Sequence, residues 1–185
     1  MPASNSHKPQ TLDHIRSTKK PVTKTVRFAN DPEITDRLEQ VTQQHLQTSL
    51  TLRLNNEDEG ARTELARLQE EKEQLLEEAR ANSTKFVFRS LGRNRFDQLR
   101  TAHPPTDADR KRAMQNGQNP EELGWDLEEF PIVLISACCI DPELSQEDVK
   151  QMFDDELFSS AEMTEIFNAA VQVNLRSNLI NLGKD

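Results

Sequence analysis

Apolar positions recur at helical spacing in two consecutive stretches of the chain. Asp31-Pro32 favours a helix start, and an amphipathic series follows at intervals of three and four residues: Ile34, Leu38, Val41, His45, Thr48 and Leu52. After a polar break at 55–60, a second series lies among strong helix formers: Ala61, Leu65, Leu68, Lys72, Leu75, Leu76 and Ala79. The pattern predicts an antiparallel helical hairpin, although the alternation of Leu50, Leu52 and Leu54 leaves a terminal strand open.

Two short strands are predicted on either side of this hairpin. Val22–Phe28 places Val22, Val26 and Phe28 on one side with β-branched neighbours, and Phe86–Phe88 is a second short run of aromatic and β-branched residues. An antiparallel hairpin returns the chain close to where it left. We therefore expect the two strands to pair with each other and to bury Phe28, Phe86 and Phe88 against the helices, since an isolated two-stranded ribbon is marginal in water.

The remainder of the chain predicts four or five short helices. Pro104-Pro105 ends a first helix, and Thr106 caps a second. The most apolar stretch, 130–140, has the composition of a buried strand or helix; its length and small residues favour a helix that Asp141-Pro142 ends. Ser145 and Ser159 each begin a further helix.

The predicted fold is therefore mainly α: a helical hairpin flanked by two short paired strands, followed by a small helical bundle. We divide the chain into a disordered basic tail (1–21), the first strand with the Glu-rich hairpin (22–83), a helical core (84–176) and a frayed C-terminal tail (177–185).

Charge is arranged in blocks that sum to the net charge of −9. Residues 1–28 carry +5, residues 29–81 carry −7, residues 82–116 carry +5 and residues 117–185 carry −12. An acidic C-terminal third repels phosphate, so we expect no nucleic-acid partner. The basic blocks either bind an acidic partner or are simply exposed to solvent, and solvent exposure is the more common role of such runs of charge.

Candidate chemistry is sparse in the sequence. The four histidines and the adjacent Cys138 and Cys139 lack metal-ligand spacing, so we expect no metal and read the cysteines as small core hydrophobes. Neither a phosphate-binding glycine pattern nor a nucleophile–base pattern is visible, and we expect neither a cofactor nor an enzyme. With no membrane-length apolar run and no signal-peptide core in the first ten residues, we expect a protein that stays in the cytoplasm.

A distinctive combination of short motifs begins in the second strand. The chain reads Phe86-Val87-Phe88-Arg89-Ser90-Leu91-Gly92-Arg93-Asn94-Arg95-Phe96-Asp97-Gln98-Leu99, followed by His103-Pro104-Pro105. Trp125, Phe130-Pro131, residues 138–143 and residues 169–174 continue it. Over about residues 84–176 the chain resembles the tail assembly chaperones of long-tailed actinobacteriophages. The motif residues, structural or partner-binding, are Phe86, Phe88, Leu91, Gly92, Arg93, Phe96, Leu99, His103, Pro104, Pro105, Trp125 and Phe130.

The resemblance implies a non-catalytic assembly factor. Proteins of this family are thought to coat the helix-rich tape measure protein and to recruit tail tube subunits, so both are expected partners. The expected location is the host cytoplasm, and the protein should be absent from the mature virion. An acidic binder with amphipathic helices is suited to shielding an apolar-striped chain by helix-in-groove contacts.

Two other functions remain open at this point. A minor structural tail protein would lack catalytic motifs equally, and it would be found in purified virions. Alternatively, residues 33–81 of a coiled-coil adaptor would dimerise, with the rest of the chain forming a small interaction domain.

The family resemblance also implies a longer form of the protein, made by a ribosomal frameshift near the end of the reading frame. Leu182-Gly183-Lys184 is compatible with a slippery codon run before Asp185, although an ordinary frayed tail explains these residues nearly as well. The frameshifted product would be a further partner of the shorter chain.

Overall fold

The computed structural model describes residues 11–54 and 58–175 and shows a mainly α fold around a small antiparallel sheet. Three strands form this sheet: β1 (Thr23–Ala29), β2 (Ser83–Arg89) and β3 (Cys139–Asp141). The α-helices of the described residues are α1 (Leu12–Thr18), α2 (Pro32–Leu54), α3 (Glu59–Ala81), α4 (Arg93–Ala102), α5 (Asp107–Gln115), α6 (Glu129–Cys138), α7 (Gln146–Asp154) and α8 (Ser160–Leu175), with a 3₁₀ turn at Pro120–Glu122.

The predicted hairpin is confirmed as α2 packed along α3. Its two helices have 23 residues each, which corresponds to about 34 Å. Val41 and Leu68 are buried between them, and Arg37 pairs with Glu71 across the hairpin with an N–O distance of 2.5 Å. Because α2 continues to Leu54, the alternative of a terminal strand is wrong; the alternating leucines lie on different faces of one helix.

The predicted pairing of the first two strands is also confirmed. β1 and β2 are antiparallel, with Val26 opposite Phe86. Phe86 and Phe88 are buried, while Phe28 is partly buried and meets Phe86 edge to face at 6.2 Å. Asn30 closes the base of the hairpin, because its backbone amide donates to the carbonyl oxygen of Asn82 at 3.0 Å.

Two sequence predictions are corrected by the structure. The apolar run 130–140 is helical only to Cys138, and Cys139–Asp141 forms the third strand of the sheet beside β2, so the sheet is more than a two-stranded ribbon. The exposed backbone edge of β2 offers hydrogen-bond partners that a short apolar segment accepts in place of a last helical turn. In the segment predicted to be disordered, Leu12–Thr18 forms an exposed helix, capped by the Thr11 hydroxyl, which accepts from the His14 amide. Residues 1–10 and 177–185 of the predicted tails lie outside the described residues.

The core lies where the sheet, α4, α6, α7 and α8 meet. α6 and α8 supply most of its fully buried side chains, among them Phe130, Leu134, Ile135, Ile166 and Ala170. The sheet packs on α8 as well, so the strand that precedes the hairpin belongs to the same core as the helices that follow it. Within the described ranges, no helix is both long and apolar enough to cross a membrane.

Candidate partner-binding groove

An open apolar groove of about 330 Å³ lies at the surface of the helical core. The C-terminal end of α7, the N-terminal half of α8 and the segment before α6 enclose it. Its lining residues are Trp125, Leu127, Pro131, Phe153, Phe158, Ser160, Met163, Thr164 and Phe167. Aromatic and aliphatic side chains dominate this set, so the groove suits an apolar side chain or the apolar face of a helix.

The floor of the groove is an aromatic cluster continuous with the core. Trp125 stacks on Phe130 at a centroid distance of 5.0 Å, and Phe167 meets both rings edge-on at 5.9 and 6.3 Å. Phe130 is fully buried, so its stacking contact fixes the position of the Trp125 indole. Trp125 itself still lines the groove. The floor is therefore closely packed, whereas Phe153 is 43% exposed.

Hydrogen bonds fix the wall that carries Trp125 and Leu127. The Asp126 amide donates to the His103 carbonyl oxygen at 2.9 Å, and the Asp126 carboxylate accepts from the amides of Glu128 and Glu129 at 2.8 and 2.6 Å. These bonds satisfy amides at the start of α6 and tie the wall to the end of α4. The groove wall is therefore held on two sides by polar contacts.

Asp109 adds a third attachment, from α5. Its carboxylate completes a capping box with Thr106, accepting from the Thr106 hydroxyl at 2.7 Å, and it also faces the Leu127 amide at 3.5 Å. The side chain is 2% exposed. Hydrogen bonds from Thr106 hold the pKa of Asp109 below its usual range despite burial, so the carboxylate is charged at neutral pH.

Most of the groove is carried by an acidic segment of the chain, although Glu128 beside it is paired with Arg112 at 3.0 Å. Residues 117–175 contain fourteen Asp and Glu residues and one basic residue, Lys150. Asp126 and Glu128 flank Leu127, and Asp154 follows Phe153 directly. An apolar floor with an acidic surround favours an apolar ligand that carries positive charges beside its hydrophobic side chains.

The motif residues of the sequence analysis are divided between core and surface. Phe86, Phe88, Phe96 and Phe130 are buried in the core. Leu91, Leu99 and Trp125 pack against it, and Trp125 alone of the motif residues lines the groove. Gly92, with a φ of 81°, precedes the first residue of α4, Arg93, and Pro104 and Pro105 follow its end.

His103 has a structural environment in the fold. Its Nδ1 lies 2.9 Å from the Leu99 carbonyl oxygen, and its ring packs at 6.4 Å from Phe130. The side chain is half-buried at the end of α4. It therefore supports the groove floor from behind, through Phe130.

The adjacent cysteines lie in the core, as the sequence predicted. Burial raises the pKa of the Cys138 thiol to about 11, and its sulfur accepts a hydrogen bond from the Asn174 side chain at 3.2 Å. Burial also raises the pKa of Cys139. Both thiols are protonated at neutral pH, the form that is unreactive towards electrophiles and metals. Over the described residues, no group of three or more metal-ligating side chains is found.

Most groove residues were missed by the sequence analysis. Phe153, Phe158, Met163 and Phe167 carry the lining but were interpreted as ordinary helix positions or omitted. One signal was available: Phe153 and Phe158 flank the acidic run 154–156, an unusual place for aromatic residues in a solvated segment.

Comparison of this chain with protein-family models, curated proteins and solved structures found no match.

Proposed function

We propose that this chain is a non-catalytic phage tail assembly chaperone. In this role it binds apolar-striped helical segments of the tape measure protein in the groove between α7 and α8, and it helps to recruit tail tube subunits in the host cytoplasm. The observation that carries the proposal is the open aromatic groove beside Trp125, in the stretch of the chain that resembles these chaperones.

The shape of the groove supports a helical partner. Four apolar side chains, Phe153, Phe158, Met163 and Phe167, line the groove together with Trp125. A volume of about 330 Å³ holds one or two large side chains, which is what a single turn of an amphipathic helix presents. Such a site binds one part of a long helix, so that further copies of the chaperone can bind the remaining parts.

The charge around the groove supports a partner with basic flanks. Fourteen acidic residues in 117–175 raise the association rate of a positively charged segment and suppress binding to acidic ones. We expect the affinity to fall as the salt concentration rises, because most of these carboxylates are exposed to solvent.

The binding test uses the very long reading frame expected beside this gene. Overlapping fragments of its product are titrated into the full chain, with the fluorescence of Trp125, the only tryptophan in a chain without tyrosine, as the readout. Phe153→Glu should weaken binding at least tenfold, since it places a charge inside the apolar lining. Leu157→Glu is the matched control, because Leu157 is 79% exposed and is not a lining residue.

Three results would contradict parts of this proposal. If no fragment of the tape measure protein binds, the chaperone function is wrong. Equal losses for the two variants would place the binding site elsewhere on the chain. Detection of stoichiometric amounts of the protein in purified virions would favour a minor structural tail protein instead.

The proposed frameshift site, Leu182-Gly183-Lys184, lies outside the described residues and is tested by reading the gene.

A further inference from the structure

The first strand of the sheet has a free edge. β1 is an outer strand in the order β1-β2-β3, and β2 pairs with one of its two sides. The Val22 carbonyl oxygen accepts a hydrogen bond from the Ser90 amide at 3.0 Å, so the backbone groups of Val22 face β2. Because this direction alternates along an antiparallel strand, Thr23, Thr25 and Arg27 point their amides and carbonyl oxygens away from β2. All three residues are exposed, and no strand of the described ranges pairs with them on that side.

Arg27 gives this edge an unbalanced positive charge. In the register of β1 with β2, Arg27 lies directly opposite Lys85, and like charges in this position repel each other. Lys85 is neutralised from its other side, where the Asp141 carboxylate of β3 lies 2.5 Å from its ammonium nitrogen. Among the described residues, no carboxylate forms an ion pair with Arg27. The free edge is therefore the side from which a carboxylate can reach Arg27.

An apolar hollow of about 450 Å³ lies at the same end of β1, between the strand, the base of the hairpin and the start of α8. Its apolar lining residues are Phe28, Ala29, Leu38, Leu76 and Ala79. Two other charged side chains line it and already have partners: Arg80 pairs with Glu77 at 2.6 Å, and the Glu162 carboxylate accepts from the Ser159 amide at 2.8 Å. The hollow therefore offers apolar contact next to the unpaired guanidinium of Arg27.

We propose that the free edge of β1 binds an extended acidic segment of another protein by β-strand addition. The segment pairs antiparallel, as both ladders of this sheet do. It places a carboxylate opposite Arg27 and an apolar side chain opposite Phe28, beside the hollow. In this mode of recognition, main-chain hydrogen bonds supply the affinity and alternate side chains supply the specificity. The site shares no lining residue with the groove between α7 and α8, so it is a second binding site.

The charge of β1 selects an acidic partner over a second copy of this chain. Thr23–Ala29 carries Lys24 and Arg27 and no carboxylate, so two β1 edges placed side by side repel each other. Lys24 does not block an added strand, because its ammonium group donates to the Gln172 side-chain oxygen of α8. The sheet already contains one pairing of the proposed kind: β3 lies along the other edge of β2 and brings the carboxylate of Asp141.

The test is a titration of the isotope-labelled full chain with the peptide acetyl-Ser-Ile-Glu-Val-Thr-Gln-Thr-amide, followed by heteronuclear NMR. In the antiparallel register, the peptide Glu lies opposite Arg27 and the peptide Ile lies opposite Phe28. The amide signals of Thr23, Thr25 and Arg27 should shift in a saturable way at millimolar peptide. A peptide with Lys in place of Glu should bind at least about threefold more weakly, since it opposes Arg27 with a like charge.

A charge reversal tests the role of Arg27. Arg27→Glu should invert the preference, so that the Lys peptide binds more tightly than the Glu peptide. This variant should stay folded, because it turns the repulsive pair with Lys85 into an attractive one. Arg89→Glu is the matched control: it makes the same change of charge at an exposed position of the same sheet face, but on β2. It should keep the preference for the Glu peptide.

Methylation of single peptide amides tests strand addition itself. Methylating the Glu nitrogen removes a donor that faces β1 and should abolish the shifts, whereas methylating the following Val nitrogen, which faces away, should not. Absence of saturable shifts along β1 overturns the proposal, and so do equal effects of the two methylations. Equal binding of the Glu and Lys peptides refutes Arg27 as the selecting charge. Binding in the groove is measured separately through Trp125, so each of the two proposals can fail alone.

Discussion

Phe130 joins the groove to the core, and its truncation gives the most informative perturbation. The side chain is fully buried and contacts four rings: Trp125 at 5.0 Å, Phe96 and Phe167 at 6.3 Å, and His103 at 6.4 Å. These neighbours belong to different elements, so they cannot all move into the space that Phe130→Ala leaves. A cavity therefore remains, and the substitution should lower the free energy of unfolding by about 3–5 kcal/mol.

The magnitude can be read from thermal and chemical unfolding. For a chain of this size, each 1 kcal/mol shifts Tm by about 2–4 °C, so Phe130→Ala should lower Tm by about 6–20 °C. Urea unfolding followed by circular dichroism gives the free energy directly. The fluorescence of Trp125 should shift to the red in the folded variant, because its stacking partner has been removed and water reaches the indole.

Phe153→Ala is the matched control for this prediction. It removes the same side chain from the edge of the same groove, but Phe153 is 43% exposed and lacks the four ring contacts. Its cost should be less than half that of Phe130→Ala, since less apolar surface returns to water and no closed cavity forms. Similar losses for both variants would refute the assignment of Phe130 as the buried support of the groove.

Three further predictions concern the core, an acid-sensitive cap and the cysteines. Ile135→Asp should unfold the chain, because it buries an unpaired carboxylate at a site with no exposure, whereas Met114→Asp at a 59% exposed position should leave the circular dichroism spectrum unchanged. Asp109→Ala should destabilise the fold at neutral pH by about 0.5–2 kcal/mol. Because the folded-state pKa of Asp109 is lowered, its stabilisation is present above the unfolded-state pKa and lost as pH falls through the folded value, so urea titrations of the variant and wild type should converge as the pH is lowered through that range. Cys138 and Cys139 should resist alkylation in the native protein and react fully in urea; rapid native labelling counted by mass spectrometry would contradict their burial.

The hairpin and the helix starts were accessible from the residues alone. The spacing of Ile34, Leu38 and Val41 indicates which side of α2 is buried, since helical periodicity is a local property of the chain. The helix caps at Thr106 and Ser145 formed as predicted, because they satisfy backbone amides within one turn. Even the pairing of β1 with β2 followed locally, as a hairpin brings its own ends together.

Contacts between elements far apart in sequence decided the rest. Cys139–Asp141 is a strand only because β2 lies beside it, with an unpaired edge that the sequence of the segment does not reveal. The groove arose in the same way. Trp125, Phe153 and Phe167 come from three separate segments, and each alone reads as an ordinary apolar position; their common surface exists because α7 and α8 do not close over the ring of Trp125. Helical periodicity is determined by residues that are close together in the sequence, whereas a cavity is determined by how whole helices and strands pack against one another.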